Sequence, residues 1–221
     1  MHTTIDESRV LSAVYNDVQQ RFVAFNDPAH GWEHVERVYT LAIYLARKEG
    51  ADAFIAGMAA LLHDLGRASQ VHDETRHHAD LSVEQSVELL ARYQLPSQIM
   101  EAIIHAIAAH SFSRGIEPLT LEARVVRDAD RLESLGAIGI LRWAITGTLM
   151  RTPQTRTYNP RDPFGEDHEL DDRRYMLDHF FSKLLKLVDG MSTATGRRLA
   201  EERTAFMRAY LDEFRKELAI E

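Results

Sequence analysis

The chain has 221 residues, with 26 Lys plus Arg against 34 Asp plus Glu, a formal net charge of -8 and no cysteine. That length can bury roughly 70% of the unfolded surface in one domain, and the acidity argues against a broad nucleic-acid footprint. The absence of thiols removes disulfides and thiolate zinc sites, so any metal must sit on His, Asp or Glu.

No apolar run approaches the roughly 20 residues of a membrane span, and Met1-His2-Thr3-Thr4-Ile5-Asp6-Glu7 lacks the basic and apolar regions of a signal peptide. A soluble, cytoplasmic protein is expected. Val10, Val14, Val18 and Phe22 share one face, so residues 6 to 25 read as an amphipathic helix, which Asp27-Pro28-Ala29-His30-Gly31 breaks. The next helix should run from Trp32 to Glu49 on Val35, Val38, Ala42, Leu45 and Ala46, with Gly50 as its stop and His34 pointing inward from its first turn. Ala53 to Leu62 is almost wholly apolar and reads as a buried helix, with Gly66 as its C-terminal stop. His63 and Asp64 emerge where that helix ends, and the unpaired carbonyls there favour a cation.

After Gly66 the chain becomes polar and histidine-rich, with Arg67, His72, His77 and His78. Another amphipathic helix follows at about Asp80 to Tyr93, marked by Leu81, Val87, Leu90 and Ala91. Of the histidines before it, His78 is preferred over His72 as a residue at the edge of a site. Leu95-Pro96-Ser97 starts a helix with Ile99, Ile103, Ile107 and His110 on one stripe and His105 on another face. Thr120 can cap the next helix, with Glu122 in its first turn and Val125, Val126, Ala129, Leu132 and Gly136 on its packed face. Asp128 and Asp130 lie about 200 degrees apart on a helix, so only one of them can face a given metal. Arg151 to Gly165 holds three prolines and reads as a long loop, either a pocket cover, a subunit contact or a surface excursion. Residues 171 to 189 and 195 to 218 read as two further helices, the last with Leu199, Phe206, Tyr210, Leu211, Phe214 and Leu218 on a stripe. No repeat or linker divides the chain, and no segment reads as a strand.

One histidine, a His-Asp pair and a later aspartate offer two imidazole nitrogens and two carboxylate oxygens. That mixed set suits Mn, Fe, Ni, Co or Zn. The order His34, His63-Asp64, Asp130 resembles the H…HD…D signature of the HD-domain superfamily of metal-dependent phosphohydrolases. His30-Gly31-Trp32-Glu33-His34, His110-Ser111-Phe112 and the run from Asp128-Ala129-Asp130-Arg131-Leu132 to Gly139 resemble its small bacterial YedJ/YpgQ-like branch. Tyr158-Asn159-Pro160-Arg161-Asp162-Pro163-Phe164 and Asp178-His179-Phe180 carry the likeness towards the C-terminus, so that it covers the chain from about residue 28 to its end.

The resemblance implies an all-α fold: a single HD-type domain over residues 1–221, its core at about 28–150 and a C-terminal helical extension at about 166–221 packed on it. It also implies one divalent metal on His34, His63, Asp64 and Asp130, with Mn favoured and Ni, Fe, Co, Zn or Mg as alternatives. Asp128 is left to a supporting or salt-bridging role. Asp64 is suited to ligate through one oxygen while orienting or deprotonating the attacking water through the other. Arg37, Arg67, Arg131, His78 and His110 are the candidates to meet the substrate, His110 alternatively completing a second metal site. The expected reaction is phosphate-ester or anhydride hydrolysis on a small-molecule nucleotide, foremost nucleoside triphosphate to monophosphate plus pyrophosphate. A 5'-nucleotidase and a non-catalytic metal- or nucleotide-binding protein are the rivals. Signal-nucleotide hydrolysis fits less well, because Leu65-Gly66-Arg67 replaces the acidic pair of the ppGpp hydrolases and the Gly-Tyr-Pro motif is absent. Neither nucleic acid nor membrane is expected as a partner, and a homodimer is compatible with the sequence.

Overall fold

The structure, a computed structural model, describes residues 5–25, 27–67 and 75–219; His72 lies outside them. Among these residues the fold is all-α, with nine α-helices and three short 3-10 segments, and the β pairing is limited to an isolated bridge between Arg156 and Tyr175. The chain divides into two compact units, Met1–Asp130 and Arg131–Glu221. No helix among the described residues is long and apolar enough to cross a membrane.

In the first unit, α1 spans Glu7–Phe22, where the Asp6 carboxylate accepts the Arg9 N–H as an N-cap. It buries Val14, Val18 and Phe22, the face its spacing predicts. α2 spans Trp32–Glu49 and closes on left-handed Gly50. α3, Ala53–Leu62, starts at Asp52, whose carboxylate accepts the N–H groups of Phe54 and Ile55. Phe54 and every residue from Ala56 to Leu62 are buried, and the helix packs against α1, α2 and the helix Ser97–His110. It is apolar all round because it has no solvent face, and each of its larger side chains contributes roughly 1.5–3 kcal/mol by burial. α4 covers His78–Leu90, α5 Ser97–His110 and α6 Leu121–Leu132, the last with the Thr120 hydroxyl accepting the Ala123 N–H.

Two expectations fail here. α3 ends at Leu62, so Gly66 does not stop it; the chain turns through residues 63–66 and the Gly66 N–H donates to Ser82 Oγ at 2.9 Å. A Cβ at Gly66 would lie 2.5 Å from Ser82 N and 2.6 Å from the His78 carbonyl oxygen, so glycine is there to let two backbones meet. On α4 the buried face is Ala79, Leu81, Ser82, Ser86, Leu89 and Leu90, whereas Val87 is 47% exposed. Two buried serines masked that face from a reading by hydrophobicity. The helix also begins earlier than expected and gives way to a 3-10 turn at Ala91–Tyr93.

In the second unit, α7 spans Gly136–Leu149, α8 Asp178–Ser182 and α9 Ala194–Leu218. Gly136 therefore opens a helix of its own and does not extend the face of α6. Residues 171–189 do not form the single helix their spacing suggests: turns lead into α8, and a 3-10 segment, Leu184–Gly190, follows it. The cause is a carboxylate. Asp178 is fully buried and takes the Asp171 N–H at 2.8 Å and a ring nitrogen of His168 at 2.9 Å, which bends the preceding chain back onto it. The other nitrogen of His168 sits 2.7 Å from Asp162, whose carboxylate also accepts the N–H groups of Glu166, Asp167 and His168. These bonds organise the proline-bearing loop from within. α9 buries Gly196, Ala200, Thr204, Met207 and Leu211, while Phe206 is 52% exposed, so its packed face is rotated from the predicted stripe.

Candidate metal centre

Four side chains of the first unit converge from three places. His34 leaves the first turn of α2, His63 and Asp64 follow the last residue of α3, and Asp130 lies near the end of α6. His34, His63 and Asp64 are almost fully buried; Asp130 is 28% exposed. His34 Nε2 stands 3.4 Å from His63 Nε2, 3.7 Å from Asp64 Oδ2 and 3.5 Å from Asp130 Oδ1. His63 Nε2 is 3.6 Å from Asp64 Oδ2 and 3.9 Å from Asp130 Oδ1. Donors held about 2.1 Å from a central ion lie about 3.0–3.4 Å apart when adjacent and about 4.2 Å when opposite, and the observed 3.4–3.9 Å falls between the two, so a small divalent cation fits among these atoms.

The protonation chemistry agrees. His63 Nδ1 lies 2.7 Å from the Ala60 carbonyl, which can only accept, so the ring proton resides there and Nε2 presents its lone pair to the cluster. Burial, the dominant cause, pushes the His63 imidazole down to about 4 and keeps it neutral. Burial pushes the Asp64 carboxyl up, but Arg67 and then His63, His110 and His34 outweigh it and hold it well below the usual carboxylate range. Asp130 is likewise held low against the burial that opposes it, chiefly by a hydrogen bond from His34. One proton on His34 would satisfy a single contact among these atoms; a divalent cation satisfies them together.

Asp64 faces two ways. Its Oδ1 lies 3.6 Å from His78 Nε2 and 3.8 Å from His110 Nε2, forming a second buried trio beside that of His34, His63 and Asp130. His110 repeats the arrangement of His63, with Nδ1 2.6 Å from the Ile107 carbonyl. Burial, followed by the charge of Arg67, pushes His78 down to about 3. His110 Nε2 therefore presents a lone pair towards an Asp64 oxygen that is itself an acceptor.

The remaining candidates fall in different places. Arg67 pairs with Asp64 Oδ2 through Nε at 2.8 Å. Arg37 reaches Glu33 at 3.9 Å along α2. Arg131 belongs to the second unit, where it donates to the Gly190 carbonyl. Asp128 is buried on α6 and belongs to neither trio. His77 caps α4 by accepting the Ala79 N–H and meets Ser113 Oγ at 2.8 Å, and His105 accepts the Leu119 N–H. The pairing of Asp27 with His30 at 2.8 Å was not anticipated as part of a site; its only sequence signal was the block His30 to His34.

Residues 31–135, which span the whole cluster, match the family described as HD domain. The uncharacterized protein YpgQ of Bacillus subtilis is 36% identical over 205 residues, covering 90% of this chain and 89% of that protein. The crystal structure of YpgQ in complex with ADP superposes with a TM-score of 0.72 at 32% identity, covering 96% of each chain. An HD-superfamily hydrolase of Bacillus thuringiensis gives 0.72 at 30% identity, covering 97% of this chain and all of that one. Ligand set, family match and full-length relatives agree that the chain belongs to the HD-domain family and is a metal-dependent phosphohydrolase.

Proposed function

We propose that the enzyme hydrolyses nucleoside triphosphates to the monophosphate and pyrophosphate, with His34, His63, Asp64 and Asp130 holding one Mn2+. The observation that carries this reading is the convergence of His34, His63, Asp64 and Asp130, with the facing nitrogen and oxygen atoms 3.4–3.9 Å from His34 Nε2 or His63 Nε2. The ADP complex of YpgQ, a relative similar over nearly the full length, supports a nucleotide as the ligand. A divalent cation bound there would lower the pKa of its water and withdraw charge from the phosphoryl group.

The protein's own groups supply the rest. Asp64, with one oxygen on each trio, orients the attacking water and accepts its proton. The water oxygen bonds to the α-phosphorus as the bond to the bridging oxygen breaks, and pyrophosphate departs with the electron pair. Arg67, 27% exposed beside Asp64, offers a guanidinium to a phosphate oxygen. A second reading, favoured by the confrontation of Asp64 Oδ1 with two imidazole nitrogens, places another cation on His78 and His110 in place of direct substrate contacts.

The test is product analysis with metal-free protein reconstituted with Mn, Ni, Co, Mg or Zn, alongside Asp64→Ala, with bound metal counted per chain. Pyrophosphate release that falls about 10³-fold or more in the variant is expected. Orthophosphate from monophosphates would instead make the enzyme a nucleotidase. Bound metal without turnover on any nucleotide would refute both.

A further inference from the structure

His77 and His78 stand side by side at the start of α4, and they differ in what holds them. His77 is bonded at both ring nitrogens. Its Nδ1 accepts the Ala79 N–H at 3.1 Å, so the ring proton is on Nε2, which donates to Ser113 Oγ at 2.8 Å. Ser113 Oγ in turn lies 3.0 Å from Ser111 Oγ, and Ser111 follows His110 directly. The His77 ring so fixed packs on the His78 ring, with centroids 4.2 Å apart and planes at 33°. His78 Nε2 faces Asp64 Oδ1 at 3.6 Å, too far for a hydrogen bond, so that contact does not itself hold the ring.

Polar links join the segments that carry Asp64, His78 and His110. The bond from the Gly66 N–H to Ser82 Oγ ties the turn bearing Asp64 to α4. Arg127 of α6 donates to the carbonyls of Ala109 and Ile116, on either side of His110, and so ties the end of α5 to the helix that bears Asp130. Between α4 and the end of α5 the links are His77 with Ser113 and Asp80 with Arg114 at 2.7 Å. Both members of the second pair are exposed, where an ion pair contributes little. The first ends on the ring that backs His78.

On the phosphohydrolase reading above, we propose that His77 is a positioning residue: gripped by Ala79 and Ser113, its ring sets His78 against the Asp64 carboxylate. Ser113 is the link that carries this placement across to the segment following His110. A ring held at both nitrogens cannot turn without breaking a bond, and the ring stacked on it is restricted in the same way. His77 thus does two things, capping α4 with one nitrogen and fixing the neighbouring imidazole with the other.

The experiment uses the full chain loaded with Mn. Wild type, His77→Asn, Ser113→Ala and the double variant are compared for kcat and KM with a triphosphate and for thermal unfolding. Asparagine is among the best N-caps and can still accept the Ala79 N–H, so His77→Asn removes the ring while keeping the start of α4. Because His78 faces Asp64, whose part is with the attacking water, the loss should fall on kcat. It should be about 10- to 100-fold in His77→Asn and about 2- to 10-fold in Ser113→Ala, the worth of one neutral hydrogen bond, with the melting temperature unchanged. The double variant should lose no more than His77→Asn alone, since both act through one link. Wild-type kcat in His77→Asn would overturn the assignment and leave His77 as a cap. So would losses that multiply in the double variant, or that follow a lower melting temperature. A wild type that turns over no nucleotide would refute the proposed reaction, and histidine side-chain NMR of the Mg-loaded chain would then decide on His77. A His78 ring signal that broadens or splits in Ser113→Ala, where both rings remain, supports the positioning; a signal as sharp as in wild type overturns it.

Discussion

Replacing Gly66 with alanine separates two accounts of the same residue by the sign of the effect. Were Gly66 an unconstrained position after a helix, added stiffness in the unfolded chain would make alanine stabilising by about 0.4–1 kcal/mol, since its φ is not among the positive values. The structure puts the new methyl 2.5 Å from Leu81 Cβ, 2.5 Å from Ser82 N and 2.6 Å from the His78 carbonyl oxygen. Two of these are backbone atoms in the first turns of α4, so relief requires the start of that helix to move. Overpacking of this kind costs about 1–3 kcal/mol. Stretching the buried hydrogen bond from the Gly66 N–H to Ser82 adds about 1 kcal/mol. Less the entropic gain, the net expectation is a destabilisation of about 1–3.5 kcal/mol. Urea unfolding followed by circular dichroism measures it as a lower midpoint at unchanged slope. Because His78 sits in that first turn, turnover should fall as well. A variant at or above wild-type stability with full activity would refute the close approach of the two segments.

Metal removal should be visible in stability as well as in turnover. Mn at about 100 times its dissociation constant adds about 2.7 kcal/mol, or roughly 5–10 °C in a chain of this size, to the chelator-treated protein. A melting temperature indifferent to Mn, or one that rises equally in His63→Ala, would exclude the cluster as the binding site. The Asp162–His168–Asp178 array should make stability depend on pH. Hydrogen bonds to Asp162 and then Asp178 raise the His168 imidazole above its ordinary 6.5, so its contribution is complete below that value and fades as the pH climbs through the raised one. Asp162 is held at about 2, chiefly by the Asp167 N–H, from an ordinary 3.8, so its share is present above 3.8 and lost as the pH falls towards 2. The melting-temperature gap between wild type and His168→Gln should therefore be widest near pH 5–6 and shrink towards pH 9. A gap that stays constant from pH 6 to 9 would mean that the imidazole does not carry a proton shared between the two carboxylates.

Much of the architecture was legible locally because its causes are local. The unbroken apolar run of α3 has no polar face to offer water, and the limits of α2 follow from Gly31 and Gly50 on either side of an amphipathic repeat. The order His34, His63-Asp64, Asp130 was equally readable, since helix ends determine where those side chains emerge. Helical geometry allowed only one of Asp128 and Asp130 to face the metal, the family resemblance pointed to Asp130, and the structure brings Asp130 into the cluster. What the tertiary structure decided is which groups meet across distant positions. Gly66 touches α4 rather than ending α3, Ser82 and Ser86 face inward while Val87 faces water, and Asp178 draws Asp171 and His168 into turns where the spacing suggested a helix. His78 reaches Asp64 while its neighbour His77 caps α4 and meets Ser113, a distinction that hydrophobic periodicity does not make. The common reason is that periodicity records the average polarity of a face, whereas a single buried carboxylate, hydroxyl or backbone N–H must find a particular partner, and only the packed chain determines which one is within reach.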